Sequence, residues 1–170
     1  LNEHFRSEPA IIAWSNKHFY GNRLRVLTPI WPRRFEPCME VRVVDGADDD
    51  PAVSRTNELE ARAVISELRS LIENPEYEGL TLGVISPFRQ QADILQHMIH
   101  VEFADHPEWV RSRQIVASTA DGFQGDERDV VFLSMVDGPS QGPLPLRDDD
   151  RSKKRFNVAA SRARDQMWLV

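Results

Sequence analysis

A polar loop with two glycines precedes one of the most apolar runs in the sequence. The loop and the start of the run read D-G-F-Q-G-D-E-R-D-V-V, from Asp121 to Val131. The run is rich in Val and Phe and continues to Val136, which predicts a buried strand. Ligands of open α/β sheets bind where loops meet strand ends, so this is a candidate ligand-binding loop. Its residues that allow close backbone approach or supply polar groups are Gly122, Gln124, Gly125 and Glu127.

Residues suited to phosphate and to a flat ring lie near both ends of the chain. Phe5 offers an aromatic face, and Arg6 beside it carries a guanidinium fork that matches phosphate oxygens bidentately. Taken alone, this pair could equally be a partly buried aromatic residue beside a surface arginine. Arg162 and Arg164 end the stretch N-V-A-A-S-R-A-R. Helices often end in arginine because a cation favours the C-terminal dipole, which explains one arginine but not this order of residues.

The bulk composition limits the classes of protein that fit. The chain has 170 residues, 41% of them hydrophobic and 28% charged, as in a single globular domain. Its one cysteine, Cys38, excludes an internal disulfide framework and a cysteine-based zinc site, and suits the reducing cytoplasm. No apolar stretch approaches the roughly 18 residues of a membrane span. The net charge of −6 excludes a broadly basic surface, so any contact with nucleic acid must be local.

The hydrophobic pattern alternates between strands and helices along the chain. Helices are predicted over residues 7–19, 56–74 and 155–164 and after Pro87, with Ser7 and Thr56 as N-caps. Strands are predicted over residues 41–44, 80–85, 114–117, 130–136 and 167–170. The segment from Gly138 to Asp150, rich in glycine, proline and aspartate, predicts an exposed loop. The alternation is typical of an α/β fold with a doubly wound, mostly parallel sheet and helices on both faces.

Four stretches, in order, resemble the motifs of the second RecA-like domain of superfamily 1 helicases. The most similar branch contains the nonsense-decay and Okazaki-fragment helicases and their bacterial relatives. Residues 1–20 resemble the segment with an aromatic-Arg pair, and G-V-I-S-P-F-R-Q-Q at residues 83–91 is similar to motif IV. T-A-D-G-F-Q-G-D-E-R-D-V-V at residues 119–131 resembles motif V, and R-F-N-V-A-A-S-R-A-R at residues 155–164 resembles motif VI. The resemblance spans the whole chain.

The resemblance implies a set of nucleotide contacts. Phe5 would stack on the adenine of ATP, and Arg6 would reach the γ-phosphate. Arg162 would be the arginine finger that stabilises charge on the transferred phosphoryl group, with Arg164 in support. Glu127 would contact the ribose, and Gln124 and Gly125 would lie near the phosphates. These residues imply an ATP-dependent helicase that uses ATP with Mg²⁺.

The resemblance also implies contacts with single-stranded nucleic acid. The final stretch, S-R-A-R-D-Q-M-W-L-V, resembles bacterial relatives, which favours DNA over RNA. Ser86 and Pro87 end a predicted strand, where a hydroxyl and backbone N–H groups suit a phosphate. The alternative is a capping serine followed by a helix-starting proline. Arg89 is the nearest cation, Thr119 would bond a phosphate, and Gln91 would orient the loop or touch the strand. Such contacts follow a strand without reading its sequence.

Two motifs of a complete ATPase do not occur in this sequence. It contains no G-x-x-x-x-G-K-[ST] phosphate loop and no apolar strand ending in a Walker-B acid pair. We therefore expect residues 1–170 to be a single RecA-like domain of a longer chain, and we expect the preceding RecA-like domain to bind the Mg²⁺. The histidines and acids here show no spacing typical of a metal site.

Two other interpretations fit the sequence less well. A stand-alone Rossmann-like binding module would carry a G-x-G-x-x-G motif after a strand, and the sequence has none. A degenerate RecA-like domain kept as a protein-docking module would be expected to lose Arg6, Glu127 or Arg162, and all three are present. Such a module would need no nucleotide.

Overall fold

The computed structural model describes residues 3–28, 34–46, 55–123, 126–136 and 150–170. Within these ranges, five parallel strands form the central sheet, in the order β3-β7-β6-β4-β5. The strands are β3 (Met39–Val41), β4 (Leu82–Ile85), β5 (Val116–Ser118), β6 (Arg128–Leu133) and β7 (Ala163–Leu169). Two short strands, β1 (Glu3–His4) and β2 (Arg25–Val26), pair with each other in parallel.

Helices cover both faces of this sheet. They are α1 (Pro9–Phe19), α2 (Glu58–Glu73), α3 (Arg89–Glu102), α4 (Pro107–Ser112) and α5 (Asp150–Ala160), with a 3₁₀ turn at Pro75–Tyr77. Alternate side chains of β6 point to opposite faces, because strand side chains repeat every two residues. Val130 and Phe132 pack with α2 and α3, whereas Val131 and Leu133 pack with α1 and α5. The predicted α/β fold with a mostly parallel sheet is confirmed, and it has the layers of a RecA-like domain.

Both predicted N-caps are displaced by one residue. Glu8, not Ser7, is the N-cap of α1, and it makes no side-chain capping hydrogen bond. The N–H of Ser7 donates to Nε2 of His4, at 2.9 Å. Asn57, not Thr56, caps α2, and its side-chain oxygen accepts a hydrogen bond of 3.0 Å from the N–H of Glu60. Asparagine is among the strongest N-caps, so the local chemistry favours this start.

The last helix begins and ends earlier than predicted, which moves both motif VI arginines off it. Helix α5 ends at Ala160, so Arg162 lies in a turn and Arg164 lies in β7. The reason is tertiary: the N–H of Arg128 in β6 donates to the carbonyl of Arg162 at 3.0 Å, and Ala163 pairs with Arg128. Pairing with the sheet outweighs the helical pattern of small residues. The prediction of a helix over residues 155–164 is therefore wrong beyond Ala160.

Strand positions are shifted at the edge of the sheet. The first predicted strand of the sheet, at residues 41–44, is observed two residues earlier as β3, which pairs with Met167 to Leu169 of β7. Val41 and Val43 alternate as a strand would, yet both are exposed. Most of the predicted loop from Gly138 to Asp150 lies outside the described residues, and Asp150 begins α5. No described helix is both long and apolar enough to cross a membrane.

Candidate functional site

Phe5, Arg6, Glu127 and Arg164 line one open cleft, at the edge of the sheet where the strands begin. Arg6 lies after β1, Glu127 directly precedes β6, and Arg164 is the second residue of β7. The N–H of Glu8 donates to the carbonyl of Arg164 at 2.9 Å, which ties the start of α1 to β7. The fold therefore brings together residues from both ends of the sequence and from the loop before β6.

An ion cluster organises this cleft. The Nε of Arg6 pairs with Oε2 of Glu127, and Nη1 of Arg164 lies 3.9 Å from Oε1 of the same carboxylate. Nη1 of Arg164 is also 3.5 Å from Oδ1 of Asp129. The Asp129 carboxylate is held in place by Thr81, whose N–H and hydroxyl donate to its Oδ2 at 2.7 and 2.8 Å. Glu127 thus links Arg6 to Arg164.

Arg162 approaches the same cluster from the turn before β7. Its Nη1 donates to the carbonyl of Asp126 at 3.3 Å, while its Nε is buried and donates to no acceptor among the described residues. Burial, and then the positive charge of Arg6, lower the pKa of Arg162. Arg6 in turn donates from Nη1 to the carbonyl of Ser161 at 3.3 Å. Two guanidinium groups are thus held near each other, and a buried donor is left over for an anion.

Phe5 and His4 have opposite environments on this strand. Phe5 is 67% exposed, so its ring is open to a flat partner. Burial, and then Arg6, lower the pKa of His4, and its Nε2 accepts the hydrogen bond from Ser7. Neutral His4 therefore positions the turn that carries Arg6. Sequence reasoning missed His4, and its place next to the Phe-Arg pair is the only signal that could have identified it.

The segment from Thr119 to Glu127 joins opposite edges of the sheet. Thr119 follows the carboxyl end of β5, whereas Glu127 precedes the amino end of β6. The six residues of β6 separate these edges by about 20 Å, at about 3.3 Å per residue. The start and the end of the loop therefore reach different edges, and Glu127 lies at the edge where the strands begin. Gln124 and Gly125 lie outside the described residues.

Close packing fixes the first half of this segment. A Cβ on Gly122 would lie 2.0 Å from Oγ of Ser118, so the predicted close backbone approach is confirmed there. Arg128 fixes the second half. Its Nη1 lies 2.7 Å from Oδ1 of Asp126 and donates to the carbonyl of Glu127 at 2.7 Å. The ion pair with Arg128 lowers the pKa of Asp126. Arg128 is nearly buried, and sequence reasoning missed it.

The residues predicted to contact nucleic acid divide into buried and exposed groups. Ser86 is fully buried, and its hydroxyl accepts a hydrogen bond of 3.3 Å from the N–H of Phe88. Phe88 is the N-cap of α3 and the helix begins at Arg89, so Ser86 is not its capping serine and Pro87 does not start it. Gln91 is fully buried as well, so it presents no surface to a strand in this conformation. Pro87 and Thr119 are half-buried, and Arg89 is exposed and paired with Asp93 at 2.9 Å.

Gln91 belongs to a buried polar network. Its Oε1 accepts from the N–H of Asn57 at 2.9 Å, and its Nε2 donates to the Asn57 carbonyl at 3.0 Å and to Oγ of Ser134 at 3.1 Å. The Ser134 hydroxyl donates to the buried carboxylate of Glu60, which also accepts from the N–H of Val136 at 2.8 Å. The network joins α3 and the start of α2 to the segment after β6. Of the two roles expected for Gln91, orienting a loop fits this position.

The guanidinium groups of the cleft match phosphate oxygens. Arg6, Arg34 and Arg164 line the cleft together with the acids Glu3, Glu8, Glu127 and Asp165. In the described part of the chain, no three histidine, cysteine or acidic side chains are grouped to hold a metal. The cleft thus offers a phosphate the side chains of Arg6 and Arg164, each of which is paired with an acid here.

Comparison with known proteins agrees with this chemistry. A family model described as an AAA domain matches residues 1–170. The chain is 29% identical, over 99% of its length, to an uncharacterized ATP-dependent helicase, MG140, of Mycoplasma genitalium. It is 26% identical, over its full length, to the helicase SEN1 of Saccharomyces cerevisiae and to the DNA-binding protein SMUBP-2 of Mesocricetus auratus.

The chain spans only a small part of each relative: 16% of MG140, 8% of SEN1 and 18% of SMUBP-2. The family match, in contrast, covers the whole chain. The parallel sheet with helices on both faces agrees with that match. The chain therefore belongs to the AAA domain family and is a superfamily 1 helicase domain.

Proposed function

We propose that this chain is the second RecA-like domain of an ATP-dependent superfamily 1 helicase. In that role it completes an ATP site whose phosphate loop lies in a preceding RecA-like domain of the same protein. The observation that carries the proposal is the convergence of Arg6 and Arg162 on one edge of the sheet, beside Glu127 and below the exposed ring of Phe5. This edge would face the nucleotide.

Each residue of the cleft has a role that its environment supports. Phe5 stacks on the base, because its ring is exposed and has a flat face free for contact. Arg6 binds the γ-phosphate after leaving Glu127, which is then released toward the ribose. Arg162 stabilises the charge that develops on the transferred phosphoryl group, and its buried, spare Nε donor is already in place. Arg164 holds Glu127 by charge.

The metal belongs to the other domain in this proposal. Mg²⁺ bound there would neutralise charge on the phosphates. Its protein ligands would come from the preceding domain. Toward the phosphates, the residues described here would contribute the cations Arg6 and Arg162.

The segment from Thr119 to Glu127 would couple the nucleotide to a single strand of nucleic acid. Its end at Glu127 belongs to the nucleotide cleft, and its start at Thr119 lies at the opposite edge, next to Pro87 and Arg89. Gln124 and Gly125, within the segment, would lie near the phosphates. A movement of the nucleotide end would be transmitted because Gly122 and Ser118 are in close contact.

The nucleic acid in the proposal is single-stranded, with DNA favoured over RNA. The printed name of SMUBP-2 describes that relative as DNA-binding, in line with this preference. We place the protein in the cytoplasm, which suits a sequence with a single cysteine, Cys38. The alternative of a nucleotide-independent docking module is disfavoured because Arg6, Glu127 and Arg162 are engaged in one cluster.

ATP hydrolysis by the full-length protein tests the proposal. Phosphate release is measured without nucleic acid, with single-stranded DNA, and with single-stranded RNA of the same length. We expect hydrolysis that single strands stimulate, more strongly for DNA. The 170-residue chain alone should not hydrolyse ATP, because it has no phosphate loop. Full-length protein that neither binds nor hydrolyses ATP would support the docking alternative, and robust hydrolysis by the 170-residue chain would contradict our domain assignment.

A further inference from the structure

A pocket with aromatic walls opens at the opposite edge of the sheet from the nucleotide cleft. We call it the aromatic pocket, and its walls are Trp14, Pro87, Phe88, Lys153, Arg155 and Phe156. Its floor is formed by Ile85 and Leu133, the last residues of β4 and β6. The carboxyl ends of parallel strands are the usual place for ligands in open α/β sheets. None of the described residues assigned to the nucleotide lines this pocket.

Trp14 and Phe156 of the aromatic pocket pack against each other and remain partly exposed to solvent. Trp14 of α1 packs edge-on against Phe156 of α5, with ring centroids 4.7 Å apart and planes at 71°. Trp14 is still 37% exposed, and Phe88 is half-buried. Trp14 also contacts His18, with centroids 4.5 Å apart, and Phe19, with centroids 5.9 Å apart. The part of the Trp14 ring that stays exposed beside these contacts can stack on a flat molecule.

The volume and the charged lining residues of the aromatic pocket indicate which kind of ligand fits it. The cavity volume is about 260 Å³, smaller than the roughly 300–1,000 Å³ of pockets for drug-sized ligands, and suits one flat ring system. Two cations, Lys153 and Arg155, lie at its wall, and none of its described lining residues is acidic. This bias is local, because the chain as a whole carries a net charge of −6. A flat base attached to a phosphate backbone matches both features.

We propose that the aromatic pocket binds one base of the single strand that passes Pro87 and Thr119. The inference rests on the proposed function, since it assigns a base contact to the strand that the motor follows. Pro87 belongs both to the predicted strand-binding motif and to the pocket wall, and Ala120, which also lines the pocket, follows Thr119 directly. The backbone would lie along the half-buried Thr119 and the exposed Arg89, while the base enters between Trp14 and Phe88. Stacking on these rings tolerates any base.

Two single-stranded oligonucleotides that differ only in having bases test the pocket. Fluorescence anisotropy measures binding of the full-length protein to a fluorescein-labelled thymine 12-mer and to a 12-mer of the same backbone with abasic sites throughout. We expect wild-type protein to bind the thymine strand more tightly. Trp14→Leu, which keeps an apolar side chain but removes the ring, should weaken that binding about 5- to 150-fold and leave binding of the abasic strand unchanged. Trp14→Phe should retain most of the affinity.

Charge provides a second, matched pair of variants. Lys153→Gln removes a cation of the pocket wall, and Lys154→Gln removes its exposed neighbour on the same helix. A pocket predicts loss of affinity mainly for Lys153→Gln, whereas general attraction to the backbone predicts equal losses. This pair keeps the test valid if Trp14→Leu lowers the melting temperature.

The outcomes separate this inference from the proposed function. Wild-type protein that binds neither strand would overturn the proposed function and the pocket with it. Wild-type protein that is stimulated by single strands but binds thymine and abasic strands equally would overturn the pocket alone. Equal losses on both strands for Trp14→Leu would also overturn it. If Trp14→Leu lowers the melting temperature but leaves binding of both strands unchanged, the pocket only packs the protein's own side chains. That result would also contradict our inference.

Discussion

Arg6 and Glu127 form an ion pair across the cleft, although one residue follows the first strand and the other precedes β6. Both side chains are more than one-third exposed, so water screens the pair and its net contribution to stability is small. An incoming phosphate can therefore compete with Glu127 for Arg6 at little cost. The pair keeps two residues with different proposed ligands in one position until a nucleotide separates them.

Glu127→Ala should uncouple the two ligand sites. Because the residue lies at the nucleotide end of the Thr119–Glu127 segment, the variant should keep basal ATPase but lose most of the stimulation by single-stranded DNA. Coupling free energies are typically about 1–3 kcal/mol, so stimulation should fall by roughly 5- to 150-fold, up to its wild-type size. Asp121→Ala, which removes an exposed acid from the same segment, is the matched control and should behave as wild type.

Thermal melting of the same Glu127→Ala protein separates coupling from folding. If the Thr119–Glu127 segment only connects to the buried strand β6, Glu127→Ala melts at a lower temperature. Single-stranded DNA then stimulates the ATPase activity of its folded fraction normally. Wild-type stimulation in a normally stable variant would contradict the coupling role.

Gly122→Ala should destabilise the domain, because the new Cβ would lie 2.0 Å from the Ser118 hydroxyl oxygen. Overpacking of this kind typically costs about 1–3 kcal/mol, measured as the change in the free energy of unfolding in urea. Adding Ser118→Ala removes the clashing oxygen and leaves a Cβ contact of 3.2 Å, so the double variant should recover part of the loss. The close-contact explanation fails if the single variant is as stable as wild type or if the second change gives no recovery.

Gln91→Leu should lower stability and leave strand binding per folded molecule unchanged. The substitution removes the partner of the Asn57 N–H and one hydrogen bond of Ser134, and leaving a buried polar group unpaired costs about 1–3 kcal/mol. Gln90→Leu, at the exposed neighbouring position, serves as control and should change stability little. Urea unfolding and anisotropy with single-stranded DNA measure the two properties. A loss of strand affinity in a fully stable Gln91→Leu protein would instead place this side chain at the strand.

The sequence predicts the layers of this fold well because burial dominates them. Val130 to Leu133 are apolar on both sides, as a central parallel strand must be, and they form β6. Helix α2 ends at Glu73 because Asn74-Pro75 cannot continue it, as predicted. Such features depend on residues that are close in the sequence, and local patterns report them directly.

Features set by distant parts of the chain were not predictable in the same way. Arg162 and Arg164 follow a helical pattern, yet pairing of Ala163 with Arg128 ends the helix before them. The polar side chains of Ser86 and Gln91 predict exposed positions, yet both residues are buried. Gln91 is buried because it bonds to Asn57 and Ser134 on other elements. Nothing local signals these partners. The cluster of Arg6, Glu127 and Arg164, by contrast, was grouped in advance through the resemblance of their motifs.

The most direct test of the proposed function is the ATPase rate of Arg162→Ala in the full-length protein. The contact assigned to Arg162 is made mainly in the transition state, so kcat should fall by about 10³- to 10⁵-fold while KM and nucleotide affinity change little. Arg6→Ala should also reduce turnover, with some loss of affinity. Arg111→Ala, an exposed arginine on α4, is the control and should hydrolyse ATP normally. Wild-type kcat in Arg162→Ala would contradict the arginine-finger role.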